Sequence, residues 1–160
     1  KKGEHKSPDY LKIHPLGQVP AFQDGDTTFF ESGAIVSYLA DKFIDKKFAP
    51  PFNSTERGKY LQWMFFSMTN LDASIIGVFY HTQLLPEGER IPAYVEYCKK
   101  NTTKAMGVLS DHLKRNEFVM GKNFTAADVM IASNVSFAKA LKLIDEPTLL
   151  DYSKRMTSRG

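Results

Sequence analysis

Between Val19 and Phe43 two short extended runs flank Asp24-Gly25, and a helical stripe begins directly after the second run. This order constrains the fold more than any other feature of the chain. A lone hairpin is marginal in water, so its apolar face must be covered by the element that follows. Asp-Gly is a favoured dipeptide for a tight hairpin turn, in which both central residues take positive φ. Ile35, Val36, Leu39 and Phe43 then fall at i, i+1, i+4 and i+8, the stripe of a helix that starts near Ser32 and packs one face on a sheet. The stretch "IDKKFAPPFN" ends this periodicity, and Pro50-Pro51 marks a linker over 44–53.

Everything after Asn53 reads as helix. Ser54-Thr55-Glu56 offers a start for the apolar run "RGKYLQWMFFSMTNLDASIIGVFYHTQLL", which ends at Pro86. A second helix is expected from Ile91 to Asn116. A third opens in "NFTAADVMIA", where Thr125 and Asp128 have capping-box spacing: the hydroxyl can accept from the N–H three residues on, and the carboxylate can reach back to Thr125 N–H. The expected fold is α+β and mostly α, with a partial α/β domain over 1–43 and an all-helical bundle over 54–160.

Composition narrows the function classes. With 160 residues, 42% hydrophobic and 24% charged, the chain has the make-up of a globular protein with a buried core. Its net charge of +3 comes from scattered Lys and Arg, a solvated surface rather than a nucleic-acid footprint. No apolar run approaches the roughly 18 residues of a membrane span. Cys98 alone can form no internal disulfide, and the first residues carry no secretory signal, so a cytoplasmic protein is expected. The glycosylation-like sequons at Asn53, Asn101, Asn123 and Asn134 are therefore read as chance. His14, His81 and His112 lack metal-ligand spacing with one another or with Cys98, and Cys98 is read as a bystander in a helix.

The segment "GEHKSPDYLKIHPLGQVPAFQDGDTTFFESGAIVSYLADKF", followed by "YLQWMFFSM" and "GKNFTAADVMIA", resembles the glutathione S-transferase family, in particular its bacterial and phi/theta-like members. The resemblance implies that the first domain is thioredoxin-like, and that Val19-Pro20 is a cis bond, although only about 5–6% of X-Pro bonds in folded proteins are cis. A cis bond there would turn the Val19 main chain outward to pair with an extended peptide, as an added strand does. Ser32, at a helix N-terminus, would hold the α-carboxylate of the γ-glutamyl end of glutathione. Glu31 would meet its α-amino group or orient the loop. His5 and Lys6, with Gln18, complete the implied pocket around Val19 and Pro20, and contact the glycyl carboxylate and peptide backbone.

The family further implies a glutathione transferase of detoxification, a homodimer, with glutathione as co-substrate, a small electrophile as second substrate and no metal. Phe65, Phe66, Met68, Phe79 and Tyr80 are candidates for the electrophile wall, with a plain helical core as the competing reading. Asp72 is a candidate contact to glutathione across the dimer interface. Family members open with a strand–helix–strand unit of roughly 30 residues that carries the Ser, Tyr or Cys set against the sulfur. These residues start after it and stop short of the closing helices, so no catalytic residue is assigned. Two further functions stay open: a non-catalytic interaction module of the kind attached to translation factors, and a glutathione-dependent disulfide reductase, which needs a Cys in that opening unit.

Overall fold

Ala21–Asp24 (β1) and Thr27–Phe30 (β2) pair antiparallel, with Asp24 opposite Thr27. The register makes Gly25 and Asp26 the two central turn residues, one place later than the Asp-Gly dipeptide suggests. Only Gly25 takes a positive φ, +57°, which fits a turn that needs glycine at its first central position alone. The computed structural model describes residues 3–159.

Ser32–Lys42 (α2) covers the hairpin. Phe29 stacks on Tyr38 at 4.5 Å, and Phe22 lies 6.5 Å from the same ring. The Tyr38 hydroxyl donates to Asp24 Oδ2 at 2.6 Å, and the Lys42 ammonium donates to the same oxygen. These hydrogen bonds, Lys42 first, hold the Asp24 carboxyl below its ordinary range. The buried face of α2 is Gly33, Ile35 and Ala40. Phe43, expected in the stripe, lies past the helix end and is exposed, because the helix stops at Lys42 and a short 3-10 turn, Ile44–Lys46, follows. A short helix not delimited by the sequence, Pro8–Ile13 (α1), precedes the hairpin: Pro8 stands in its first turn and Ser7 Oγ accepts from Tyr10 N–H at 3.2 Å.

The chain divides into two compact units, Lys1–Ala49 and Pro50–Gly160, and the second is helical. Thr55–Phe66 (α3) is capped by Ser54 Oγ, which accepts from Arg57 N–H at 3.2 Å. The apolar run then continues through π-helical turns at Ser67–Asp72 and Tyr80–Leu84, on either side of Ala73–Phe79 (α4). Hydroxyls of Thr69, Ser74 and Thr82 donate to carbonyls four residues back, competing with regular backbone bonds along this stretch. The Ser67 carbonyl is satisfied from outside by Asn134 Nδ2 at 3.1 Å. Asn134 is thus buried and bonded in the core, which rules it out as a sugar acceptor in the folded chain.

Pro92–Leu113 (α5) ends three residues before the expected Asn116. Ala126–Ala140 (α6) follows, and Pro147–Thr157 (α7) opens on Glu146, whose carboxylate accepts from Leu149 N–H at 3.0 Å. Among the described residues, no helix is long and apolar enough to cross a membrane.

Gly77 sets the approach of α4 to α5. A Cβ there would stand 2.5 Å from Cys98 Sγ and 3.1 Å from Tyr94 Cε1. Cys98 itself is buried in this contact, which seals it from solvent. Gly77→Ala is expected to lower stability by about 1–3 kcal/mol through overpacking, with part of the loss recovered in Gly77→Ala/Cys98→Ala. Urea midpoints are the measurement; an unmoved midpoint in the single variant would show that the two helices part freely.

Candidate functional site

The first unit brings the N-terminal candidates together by a tightly braced loop. His5 and Lys6 occupy a 3-10 turn, Glu4–Lys6, ahead of α1. After α1 the chain turns at His14 to Gly17, where Gly17 N–H donates to the His14 carbonyl at 2.8 Å. Gly17 has φ +56°, and a Cβ on it would stand 2.6 Å from the His5 carbonyl oxygen and 3.0 Å from Lys6 Cδ. Only glycine lets the loop before Gln18 lie against the His5-Lys6 turn.

Side chains complete the brace. Lys6 Nζ donates to the Leu16 carbonyl at 3.0 Å, and the Tyr10 hydroxyl donates to the Gln18 carbonyl at 2.7 Å. Beneath them the buried His14 ring lies 5.0 Å from Phe30 and 6.5 Å from Tyr10. Neither the close packing of Gly17 nor the bond of Tyr10 is marked by a motif in the sequence. The positive φ of Gly17 had a signal in the Pro15–Gly17 turn composition, whereas the Tyr10 bond spans eight residues and leaves no periodic trace.

Val19-Pro20 is a cis peptide bond, placed directly before β1. Val19 is 75% exposed. Among the described residues, neither its N–H nor its carbonyl finds a hydrogen-bond partner. At the other end of the hairpin Glu31 adopts φ 71° and ψ 114°, a left-handed conformation that side chains rarely take, while its carbonyl accepts from Ile35 N–H at 3.0 Å. Ser32 is the first residue of α2. Among the described residues no side chain caps this helix, and its first turn holds no acidic residue. The helix therefore presents partly positive N–H groups beside the Ser32 hydroxyl, an arrangement suited to an anion.

The candidates for the electrophile wall separate. Half-buried Phe79 packs edge-on against Phe137 of α6 at 5.4 Å, and half-buried Phe66 against Trp63 at 5.4 Å. Phe65 is 61% exposed, Tyr80 is exposed, and Met68 is half-buried. Asp72 lies exposed in the first π-helical turn. His81 and His112 have structural settings of their own: His81 Nδ1 accepts from Ile91 N–H at 3.2 Å, and His112 Nε2 lies 3.1 Å from the Val119 carbonyl, beside Trp63.

Residues 1–41 match the family model "Glutathione S-transferase, N-terminal domain". Glutathione S-transferase A of Pleuronectes platessa is 31% identical over 164 residues, spanning 99% of this chain and 72% of that protein. The chain belongs to the glutathione S-transferase family. A solved member, the glutathione transferase URE2P6 of Phanerochaete chrysosporium in complex with oxidized glutathione, superposes with a TM-score of 0.85 at 28% identity, over 99% of this chain and 76% of that one. The fold is accordingly that of glutathione S-transferases, a thioredoxin-like N-terminal part and an all-helical C-terminal domain. Elongation factor 1-gamma 3 of Oryza sativa subsp. japonica is 30% identical over 83% of this chain, which spans 31% of that longer protein. Glutathione S-transferase likeness is therefore shared by relatives with transferase names and by a relative with a translation-factor name.

Proposed function

We propose that this chain binds glutathione along the first unit and that the protein is a cytoplasmic glutathione transferase. The observation that carries the reading is the pair of unpartnered main-chain groups on Val19, beside a cis Pro20, in the same unit as the uncapped start of α2 at Glu31-Ser32. The cysteinyl unit lies on Val19 as an added strand. The γ-glutamyl α-carboxylate takes the Ser32 hydroxyl and the α2 N–H groups, and Glu31 meets the α-amino group. His5 and Lys6, next to Gln18, hold the glycyl carboxylate; Lys6 spends one of three ammonium donors on Leu16 and keeps two. Binding of this kind serves thiolate attack on a small electrophile. In the same reading the protein is a homodimer. Asp72, exposed on the helical unit, contacts glutathione across its interface.

Ser32→Ala and Glu31→Ala in the natural protein are each expected to weaken glutathione binding by about 1–3 kcal/mol, the range for a lost charge-assisted hydrogen bond. Titration calorimetry reads this, and circular dichroism should be unchanged. Unaltered affinity in both variants sinks the pocket assignment. A second reading, a non-catalytic interaction module, is favoured by the elongation factor 1-gamma likeness. Glutathione binding together with turnover of an aryl halide supports the transferase, and absence of both supports the module.

A further inference from the structure

We propose that Tyr10 is a positioning residue for glutathione, acting through the Gln18–Val19 peptide unit. This rests on the reading of Val19 as the main-chain contact to the cysteinyl unit. The Tyr10 hydroxyl donates to the Gln18 carbonyl at 2.7 Å. In a trans peptide the carbonyl and the following N–H point in opposite directions, so a donor that fixes the Gln18 oxygen also fixes the direction of Val19 N–H. The held oxygen faces α1, and Val19 N–H is aimed away from it.

Tyr10 is itself well anchored. Its N–H is taken by Ser7 Oγ at 3.2 Å, its carbonyl accepts from His14 N–H at 2.8 Å, and its ring stacks on the buried His14 with planes 13° apart. The neighbouring carbonyls of the loop are held too, His14 by Gly17 N–H and Leu16 by Lys6 Nζ. The last of these braces, on Gln18, ends one residue before Val19, whose own groups are left for a ligand. Hydrogen bonding at a carbonyl also polarises its amide, which makes Val19 N–H a stronger donor. Tyr10 thus contributes orientation and donor strength without touching glutathione.

Tyr10→Phe in the natural protein removes the hydroxyl and keeps the ring. Glutathione Kd should rise about 3- to 10-fold, the range for one lost net hydrogen bond. A glutathione analogue methylated on the cysteinyl nitrogen cannot lie against Val19 as a strand, and its weaker Kd should change less than about twofold. Without ligand, the Val19 amide 15N resonance should move while those of β2 stay in place, and the thermal midpoint should hold. An equal loss for both ligands would reduce Tyr10 to a general structural role and overturn the proposal. So would an unchanged glutathione Kd, or an unmoved Val19 resonance. If the wild-type protein does not bind glutathione, the functional reading fails and takes the role of Tyr10 with it; wild-type binding with an indifferent Tyr10→Phe removes this inference alone.

Discussion

Asp128→Ala is expected to destabilise the helical unit by about 3–5 kcal/mol, more than the loss of a helix cap explains. The carboxylate is fully buried and serves three stretches of chain at once. Oδ2 accepts from Thr125 N–H at 2.9 Å and from the Thr125 hydroxyl at 3.3 Å, the reach-back half of a capping box. Oδ1 accepts from Val119 N–H at 2.8 Å and from the Tyr152 hydroxyl at 2.9 Å. Removing it strands two backbone donors and a buried phenol, each costing about 1–3 kcal/mol when unsatisfied, with some relief from relaxation. Burial pushes the Asp128 carboxyl upward against these same hydrogen bonds, and burial and the neighbouring carboxylate push the Tyr152 phenol up. Thr125→Ala, which leaves the carboxylate and both backbone donors in place, should cost only about 0.5–2 kcal/mol. Urea denaturation followed by the single, buried Trp63 separates the two. If Asp128→Ala shifts the midpoint no further than Thr125→Ala, the carboxylate is a cap and nothing more.

That contrast shows where the sequence was legible. Thr125 and Asp128 are three residues apart, so their mutual capping is a local pattern. Val119 lies nine residues before Asp128 and Tyr152 twenty-four after it, and no periodicity connects them. The hairpin was readable from Asp24-Gly25, yet register decides which pair forms the turn, and register depends on Phe22, Phe29 and Tyr38 meeting across elements. The long apolar run gave the extent of α3 and α4 but not the π-helical turns, which follow from individual hydroxyls and from Asn134 on α6. Glu146-Pro147 carried a start signal for α7, visible once the Glu146 cap is seen. In the candidate site, Pro20, Glu31 and Ser32 stand out as residue types. The braces from Lys6 and Tyr10 do not, because a side chain bonding to a distant carbonyl needs no special residue at the accepting end.

Gly17→Ala is expected to cost the first unit about 2–4 kcal/mol and to carry glutathione binding down with it. Two effects add. At φ +56° an L side chain is strained by about 1–2 kcal/mol, and the new methyl meets the His5 carbonyl oxygen at 2.6 Å, where backbone rather than a yielding side chain must move. The displacement has a direction: relief of the clash separates the His5-Lys6 turn from the loop that ends in Gln18 and Val19. It would also stretch the Lys6 Nζ bond to the Leu16 carbonyl. The groups proposed for the glycyl carboxylate and for the cysteinyl main chain would then no longer be held in one frame, and fixed geometry is what makes several weak contacts act together. Gly25→Ala is the matched control. Gly25 has nearly the same φ, +57°, but a Cβ there meets nothing within 4 Å, so it should show the strain without the clash and leave glutathione affinity close to wild type. Thermal midpoints and calorimetric Kd values for the two variants test this directly. If Gly25→Ala and Gly17→Ala lose stability and affinity alike, the conformational strain alone is responsible, and the close packing of Gly17 on the His5-Lys6 turn does not organise the site.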